Sequence, residues 1–337
     1  MNKILNKLAK ELSFQTGRYM LSPEFLSLVI TMKCNFKCQS CSIWQKPFEK
    51  ELEQEDWVKI IEKLTHTLKP NTFVEINGGE PLIRKDLVIF LIKELKKHFN
   101  KVALNSNGLL VNETNLDELK QAGLDLIKIS LYSLEEEVHN SMRGHSLAFQ
   151  HAKRAVELIT QKQIPLEIGL LVTTKNIKTA PALIQYLQKL PNTSIILQPL
   201  DEKIESAESK DQKDNNLIPD LWPEKEDVVS FFDWVEKHNQ GIKNSLPNIK
   251  AIRQYYLNPP DILKYRCFAG QRNLVIYPGG DVAFCFKRKA IGNINNQDIE
   301  LMLKNASGER KQIKYCQIVG CNFSRGLKEA IHDRITK

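Results

Sequence analysis

Three cysteines sit in one short stretch, Cys34-Asn35-Phe36-Lys37-Cys38-Gln39-Ser40-Cys41, with the spacing C-x3-C-x2-C. Thiolates are ligands for zinc and for iron–sulfur clusters. A closed zinc site wants four ligands, and no fourth cysteine lies nearby. Three thiolates in one loop can instead hold three irons of a cubic cluster, leaving the fourth iron open to a small molecule. Four more cysteines, Cys267, Cys285, Cys316 and Cys321, stand far along the chain. They suffice for one fully ligated four-iron cluster, and they equally satisfy one zinc ion. The total of seven is odd, so complete internal disulfide pairing is impossible. With no export signal, the expected compartment is the cytoplasm, where thiols stay reduced.

The elements that must position these groups read as α/β. From about residue 26 to 200, short apolar runs alternate with amphipathic helical patterns. Strands are expected at 26–31, 72–77, 101–106, 126–132, 166–173 and 194–198, with helices between them, for example at 54–68, 87–99 and 149–162. Such β-then-α units in series imply a parallel sheet with right-handed crossovers. They are too few for a complete eight-stranded barrel, so a partial, open (β/α)6 TIM-like barrel is expected, its site at the strand C-terminal ends. The first cysteine loop directly follows strand one. Asn77-Gly78-Gly79-Glu80-Pro81 ends strand two.

Residues 201–216 are polar and poor in bulky apolar groups, which reads as a linker. Helical patterns follow near 224–238 and 246–257. Residues 273–277 and 282–286 flank Pro278-Gly279-Gly280-Asp281, a β-hairpin signature. The expected division is an N-terminal helix in 1–24, the barrel in 25–200, linker and helices in 201–262, and a cysteine-bearing domain in 263–337. In the N-terminal helix, Ile4, Leu5, Leu8 and Leu12 recur at helical spacing; the stripe is expected to pack on the main domain, with docking at a membrane surface as the lesser alternative.

Strand alternation places Lys128, Ser130 and Tyr132 of strand four inside the barrel, with Glu75 and Asn77 of strand two and Glu167 of strand five. Lys128 and Glu167 fall on adjacent strands and are expected to pair as a structural ion pair, since either would be costly to bury alone. His139 and His145 show no partner pattern, so surface or packing roles are expected for them.

The C-x3-C-x2-C loop after strand one and the Gly78-Gly79-Glu80-Pro81 turn after strand two together resemble the radical S-adenosylmethionine (SAM) superfamily over roughly residues 25–200. The resemblance implies a SAM-binding 4Fe–4S cluster on Cys34, Cys38 and Cys41. It further implies reductive cleavage of SAM to a 5′-deoxyadenosyl radical that removes a hydrogen atom from substrate. By strand order it places Gly78, Gly79, Glu80, Asn107, Ser130 and Arg143 around SAM, with Tyr132 a candidate catalytic residue. Two positions depart from the family pattern. Ser40 stands where an aromatic often packs near the adenine, so either Trp44 takes over that role or the adenine is held differently, and Tyr132 stands where an aspartate is common. The hairpin and the second cysteine group resemble the twitch/SPASM auxiliary domain. On that resemblance Cys267, Cys285, Cys316 and Cys321 hold a second 4Fe–4S cluster that accepts an electron. A zinc ion is the alternative occupant there.

The 42% hydrophobic and 26% charged content is that of a globular chain. The net charge of +8 comes with no dense Lys/Arg run, so no nucleic-acid partner is expected. No segment is long and apolar enough to span a membrane. The expected function is net oxidation of a small polar metabolite, since few residues precede strand one in which to place a peptide-recognition module. Maturation of a ribosomally made peptide is the alternative, and a structural cluster- or zinc-binding protein the non-enzymatic one. An electron donor such as flavodoxin or ferredoxin is expected.

Overall fold

A computed structural model of the 337-residue chain describes residues 3–45, 50–200, 219–258 and 266–315. The expected linker at 201–216 and two of the cysteines, Cys316 and Cys321, lie outside the described residues.

The helices form where apolar residues recur at helical spacing between local stop signals. In α2 (Gln54–Thr67), Trp57, Ile60, Ile61 and Leu64 are buried on one face, and a capping box between Glu53 and Asp56 starts the helix. α5 (Glu136–Arg143) ends at Gly144, whose φ of +62° is the left-handed turn that favours glycine. The strands are short apolar runs, as parallel strands covered on both faces tend to be. After α1 (Lys3–Thr16), the described order is β1 (Phe25–Val29), α2, β2 (Phe73–Asn77), α3 (Lys85–Lys96), β3 (Lys101–Ser106), α4 (Glu113–Gln121) and β4 (Leu126–Ser130). Then come α5, α6 (Ala148–Gln161), β5 (Leu166–Val172), α7 (Ala180–Gln188), β6 (Thr193–Pro199), α8 (Lys225–Lys237) and α9 (Leu246–Leu257).

Strands β1 to β6 pair in parallel and in sequence, forming the expected partial barrel wall. The wall does not stop at β1. β7 (Asn273–Ile276) pairs with β1 in parallel, Phe25 opposite Asn273 and Leu28 opposite Ile276. β8 (Asp281–Ala283) and β9 (Gly292–Asn293) follow antiparallel, giving one nine-stranded sheet. The hairpin expected in a C-terminal region starting near residue 263 is therefore continuous with the barrel sheet. The physical reason is that β1, first in an open sheet, exposes a row of unpaired backbone groups that another strand can satisfy. The hairpin turn is as read: Tyr277 N–H donates to Asp281 O (2.8 Å) and Gly280 N–H to Tyr277 O (2.9 Å).

α1 sits against the hairpin side rather than packing its apolar stripe. Phe14 meets the Phe268 ring at 5.0 Å and Glu11 pairs with Arg266 at 2.7 Å. Ile4 and Leu12 remain 66% and 51% exposed, with Leu5 and Leu8 between those values, so the expected packing face is turned to solvent. The aromatic and ionic contacts of Glu11 and Phe14 set the helix's rotation. Buried Arg310 ties this region together, donating to the carbonyls of Gly17 (2.8 Å), Gly270 (2.7 Å) and Leu303 (2.8 Å).

Candidate active site

The cysteine loop leaves β1 and is held from three sides. Cys38 is buried, Cys34 and Cys41 are partly buried, and all three pack with Phe36, Leu109 and Ala148. From β2, Gly79 N–H donates to Thr31 O (2.9 Å) and Glu80 N–H to Lys33 O (2.8 Å). A Cβ on Gly78 would lie 2.6 Å from Thr31 O, and one on Gly79 2.1 Å from Lys33 O and 2.9 Å from Cys34 Cβ. The two glycines are thus required by the approach of the cysteine loop itself. From the turn after β3, Asn107 Nδ2 donates to Asn35 Oδ1 (2.6 Å). From the end of α5, Met142 O accepts from Gln39 N–H (3.1 Å), and a Cβ on Gly144 would lie 2.1 Å from Lys37 O. His145 stacks on Phe36 at 4.6 Å, so it is part of the loop's packing. The Trp44 indole N–H donates to Cys38 O (3.3 Å), which places that ring on the loop.

Glu80 is fully buried and its carboxylate is turned inward. It accepts from Leu82 N–H (3.0 Å), Ser106 Oγ (3.0 Å) and Asn107 N–H (2.7 Å). Burial pushes its pKa up, and these three donors hold it back only in part. Glu80 is accordingly the post that holds the Ser106-Asn107-Gly108 turn. Arg143 is buried beside the loop, its guanidinium 5.4 Å from the Phe36 ring centroid and 5.1 Å from that of Tyr132. Its Nη1 donates to Tyr132 Oη (2.9 Å). Burial works against its charge, but Tyr132, Cys38 and Cys34 outweigh that and raise its pKa. Tyr132, just past β4 and buried, thus stands at the cysteine loop with Arg143. Ser130 ends β4 opposite Gly169 and is partly exposed.

The donor set suits an iron–sulfur cluster. One loop supplies three thiols, two of which, Cys34 and Cys38, lie close enough to the buried Arg143 cation to raise its pKa, and Arg143 Nε is buried without a hydrogen-bond partner, a donor left over for an anionic group. Among the described residues no three His, Cys, Asp or Glu side chains converge tightly enough to hold a single metal ion. Burial pushes the Cys34 thiol up to about 11, against a pull down from the Phe36 N–H. Such a thiol is drawn off its proton by a bound metal rather than by solvent.

Below this level lies a charged floor. Lys128 Nζ is 2.6 Å from Glu75 and 3.0 Å from Glu167, and Lys243 Nζ is 2.7 Å from the other oxygen of Glu167. Burial alone would lower the Lys128 pKa, but the two carboxylates raise it; Glu167 is correspondingly lowered by Lys128 and Lys243 against its own burial. Asn77 donates to Ser27 Oγ (2.6 Å) and accepts from Asn105. The Lys128–Glu167 pair is present as expected from alternation. Glu75 as a second partner follows from the same inward set, whereas Lys243 comes from a distant loop that alternation cannot reach.

In the second cysteine group, Cys267 and Cys285 are partly buried against the main core. Cys267 N–H donates to Lys314 O (3.0 Å), and Cys285 O accepts from Arg288 N–H (3.1 Å) just past the hairpin.

Comparison with known proteins agrees with this geometry. Residues 28–187 match the Radical SAM superfamily, and residues 267–322 match the SPASM iron–sulfur cluster-binding domain. A probable GTP 3′,8-cyclase of Methanococcus aeolicus is 30% identical over 244 residues, covering 68% of this chain and 76% of that protein. AlbA, the subtilosin biosynthesis protein of Bacillus subtilis, is 25% identical over 315 residues, covering 89% of this chain and 66% of that one. Other curated relatives are matched over only about half their length, such as 55% and 53% of two further probable GTP 3′,8-cyclases. The fold of Streptococcus suis SuiB bound to S-adenosylmethionine superposes with a TM-score of 0.67 at 15% identity, over 92% of this chain and 72% of that one. Among the described residues no helix is long and apolar enough to cross a membrane. The chain belongs to the radical SAM superfamily, an enzyme family that works with SAM and 4Fe–4S clusters, and carries a SPASM domain at its C-terminal end.

Proposed function

We propose that this chain is an oxidative radical SAM enzyme that modifies a peptide in the cytoplasm. One observation carries the choice of peptide. The similarity to AlbA, a bacteriocin biosynthesis protein, runs over 89% of the chain, too much to leave out either the barrel or the hairpin that follows it. A PqqA peptide cyclase of Bradyrhizobium diazoefficiens and SuiB, solved with its precursor peptide SuiA, support the same direction.

In this reading Cys34, Cys38 and Cys41 hold the SAM-binding cluster, and Gly78, Gly79, Asn107, Ser130 and Arg143 surround SAM. When bound, SAM and the reduced cluster supply a carbon-centred radical that takes a hydrogen atom from the substrate. The chain's own residues orient and seclude that event. Arg143 offers its spare buried donor to the SAM carboxylate, and Glu80 holds the turn carrying Asn107. Tyr132 stands beside Arg143. Cys267, Cys285, Cys316 and Cys321 form the second cluster site, suited to take the electron that a net oxidation must discard once a proton is lost. A flavodoxin or ferredoxin reduces the enzyme.

A second reading keeps the small polar substrate. It is favoured by the charged floor of Glu75, Lys128 and Glu167 inside the barrel and by the 30% identity to a probable GTP 3′,8-cyclase. The test is anaerobic reconstitution with a strong reductant. 5′-Deoxyadenosine should form, and Cys38→Ala should abolish it. Mass spectrometry of short peptides encoded beside the gene should then show loss of two hydrogens. Turnover of nucleotides or sugars, with every such peptide unchanged, would decide for the second reading.

A further inference from the structure

Tyr132 lies one residue beyond the last β4–β5 backbone bond, Leu131 N–H to Gly169 O (3.3 Å). Its own backbone groups are nevertheless both satisfied, each by a fully buried side chain from a different element. His139 Nδ1, on α5, accepts from Tyr132 N–H (3.1 Å). Asn176 Nδ2, in the segment after β5, donates to Tyr132 O (2.8 Å) and also to Leu171 O (2.8 Å). Asn176 Oδ1 accepts from Thr173 N–H (2.8 Å), which fixes the amide's orientation. Both residues have no exposed surface. The His139 ring packs against Tyr132 (5.7 Å between centroids) and Phe149 (6.1 Å).

We propose that His139 and Asn176 are positioning residues, a buried clamp on the Tyr132 peptide that aims the Tyr132 ring and hydroxyl at Arg143 and so sets Arg143 against the cysteine loop. The clamp works where the sheet ladder has ended and a free peptide would otherwise turn. Because His139 Nδ1 accepts, the neutral ring carries its hydrogen on Nε2, and Nε2 is buried without a partner. A ring serving only as packing has no reason to bury that group, since a leucine would fill the space without it. Burial and the nearby Arg143 charge hold His139 neutral, its pKa near 3, so the acceptor on Nδ1 persists at working pH. The chain of contacts from His139 through Tyr132 Oη to Arg143 Nη1 then reaches a buried guanidinium beside Cys34 and Cys38.

The consequence for SAM rests on Arg143 meeting the SAM carboxylate, and the experiment separates the two claims. Reconstituted wild type, His139→Leu, His139→Asn, Tyr132→Phe and Arg143→Gln are compared for iron content, for SAM dissociation constant, and for the SAM-induced change in the reduced cluster's electron paramagnetic resonance spectrum. His139→Leu should keep its iron, bind SAM about tenfold more weakly and show a blunted spectral change. His139→Asn, whose Oδ1 can take the place of Nδ1, should recover to within about twofold. Tyr132→Phe removes only the hydroxyl link, and in that background His139→Leu should add nothing further. If Arg143→Gln weakens SAM binding while His139→Leu and Tyr132→Phe do not, the clamp is wrong and the reading of Arg143 stands. If Arg143→Gln leaves SAM binding unchanged, that reading falls. The clamp is then judged by denaturant unfolding of the His139→Leu, Arg143→Gln and double variants, where additive losses overturn it and coupled losses support it. Should His139→Leu fail to fold, Tyr132→Phe and His139→Asn carry the comparison, and equal SAM affinity in wild type and Tyr132→Phe overturns the proposal.

Discussion

At the scale of single residues, the site depends on groups whose charge state is set by burial. His139 is the clearest case, since its folded pKa of about 3 lies well below the ordinary 6.5. The unfolded chain therefore binds a proton that the folded chain refuses, and stability is fully present above about pH 6.5 and lost as the pH falls toward 3. Between those two values the loss from this group should be about 1.4 kcal/mol per pH unit, and below the lower one it adds no more. Glu167, lowered by Lys128 and Lys243, adds a loss in the same direction only below its ordinary value of 4.5. Between pH 7.5 and 5.5 the two are separable. The stability gap between wild type and His139→Asn should shrink by about 1.4 kcal/mol across that interval, measured by denaturant unfolding. A gap that stays constant would show that His139 titrates normally in the fold. The residue's role was not legible in the sequence because its partner is a backbone N–H, and no pattern of side chains announces such a bond. Glu80 was legible as part of a motif, but the direction of its carboxylate depends on where the β3 turn lies in space.

At the scale of elements, strands β1 to β6 were read from the sequence to within two residues because each is a short, largely apolar run set between helical patterns. Alternation then placed Lys128, Glu75 and Glu167 on one face. What local pattern could not supply was lateral placement: which strand covers β1, and which loop brings Lys243 to Glu167. The rotation of α1 was misread for a related reason, since Phe14 and Glu11 outweigh the Ile4–Leu12 stripe only once Phe268 and Arg266 are in place. The glycines of the β2 turn illustrate the same limit. The motif suggests room for a ligand, whereas the structure shows that Gly79 makes room for Lys33 and Cys34. Gly79→Ala should therefore push the cysteine loop outward whether or not SAM is present. A loss of about 2–3 kcal/mol in stability is expected, from forced displacement in a packed site. The reconstituted variant should also hold at least half the SAM-site iron less than wild type, read by iron analysis. If Gly79→Ala holds its full iron and stability and loses only SAM affinity, the glycine serves the ligand and not the loop.

At the scale of the whole molecule, the continuous sheet links the two cysteine groups mechanically: β1 leads directly into the first loop, and β7, its neighbour, leads into the hairpin before Cys285. In the proposed assignment neither group shares a ligand with the other, so the two are expected to be chemically separable. Wild type should hold about eight irons, as two four-iron clusters. Cys285→Ala should remove one ligand of the second site while leaving Cys34, Cys38 and Cys41 in place. An oxidation that must discard an electron at each turnover then stalls after hydrogen abstraction. 5′-Deoxyadenosine should still form, within about tenfold of the wild-type rate, while oxidised product is lost. Ligation can carry much of a small region's folding energy, so circular dichroism and iron content have to be compared first. Here the shared sheet matters, because β7 is held by β1 as well as by any metal, and Phe284 and Ile294 are buried in the main core. The variant is therefore expected to stay folded. A folded Cys285→Ala protein with about four irons that makes product at the wild-type rate would show that the second site takes no electron, and the oxidative reading would fall while the radical SAM assignment stood.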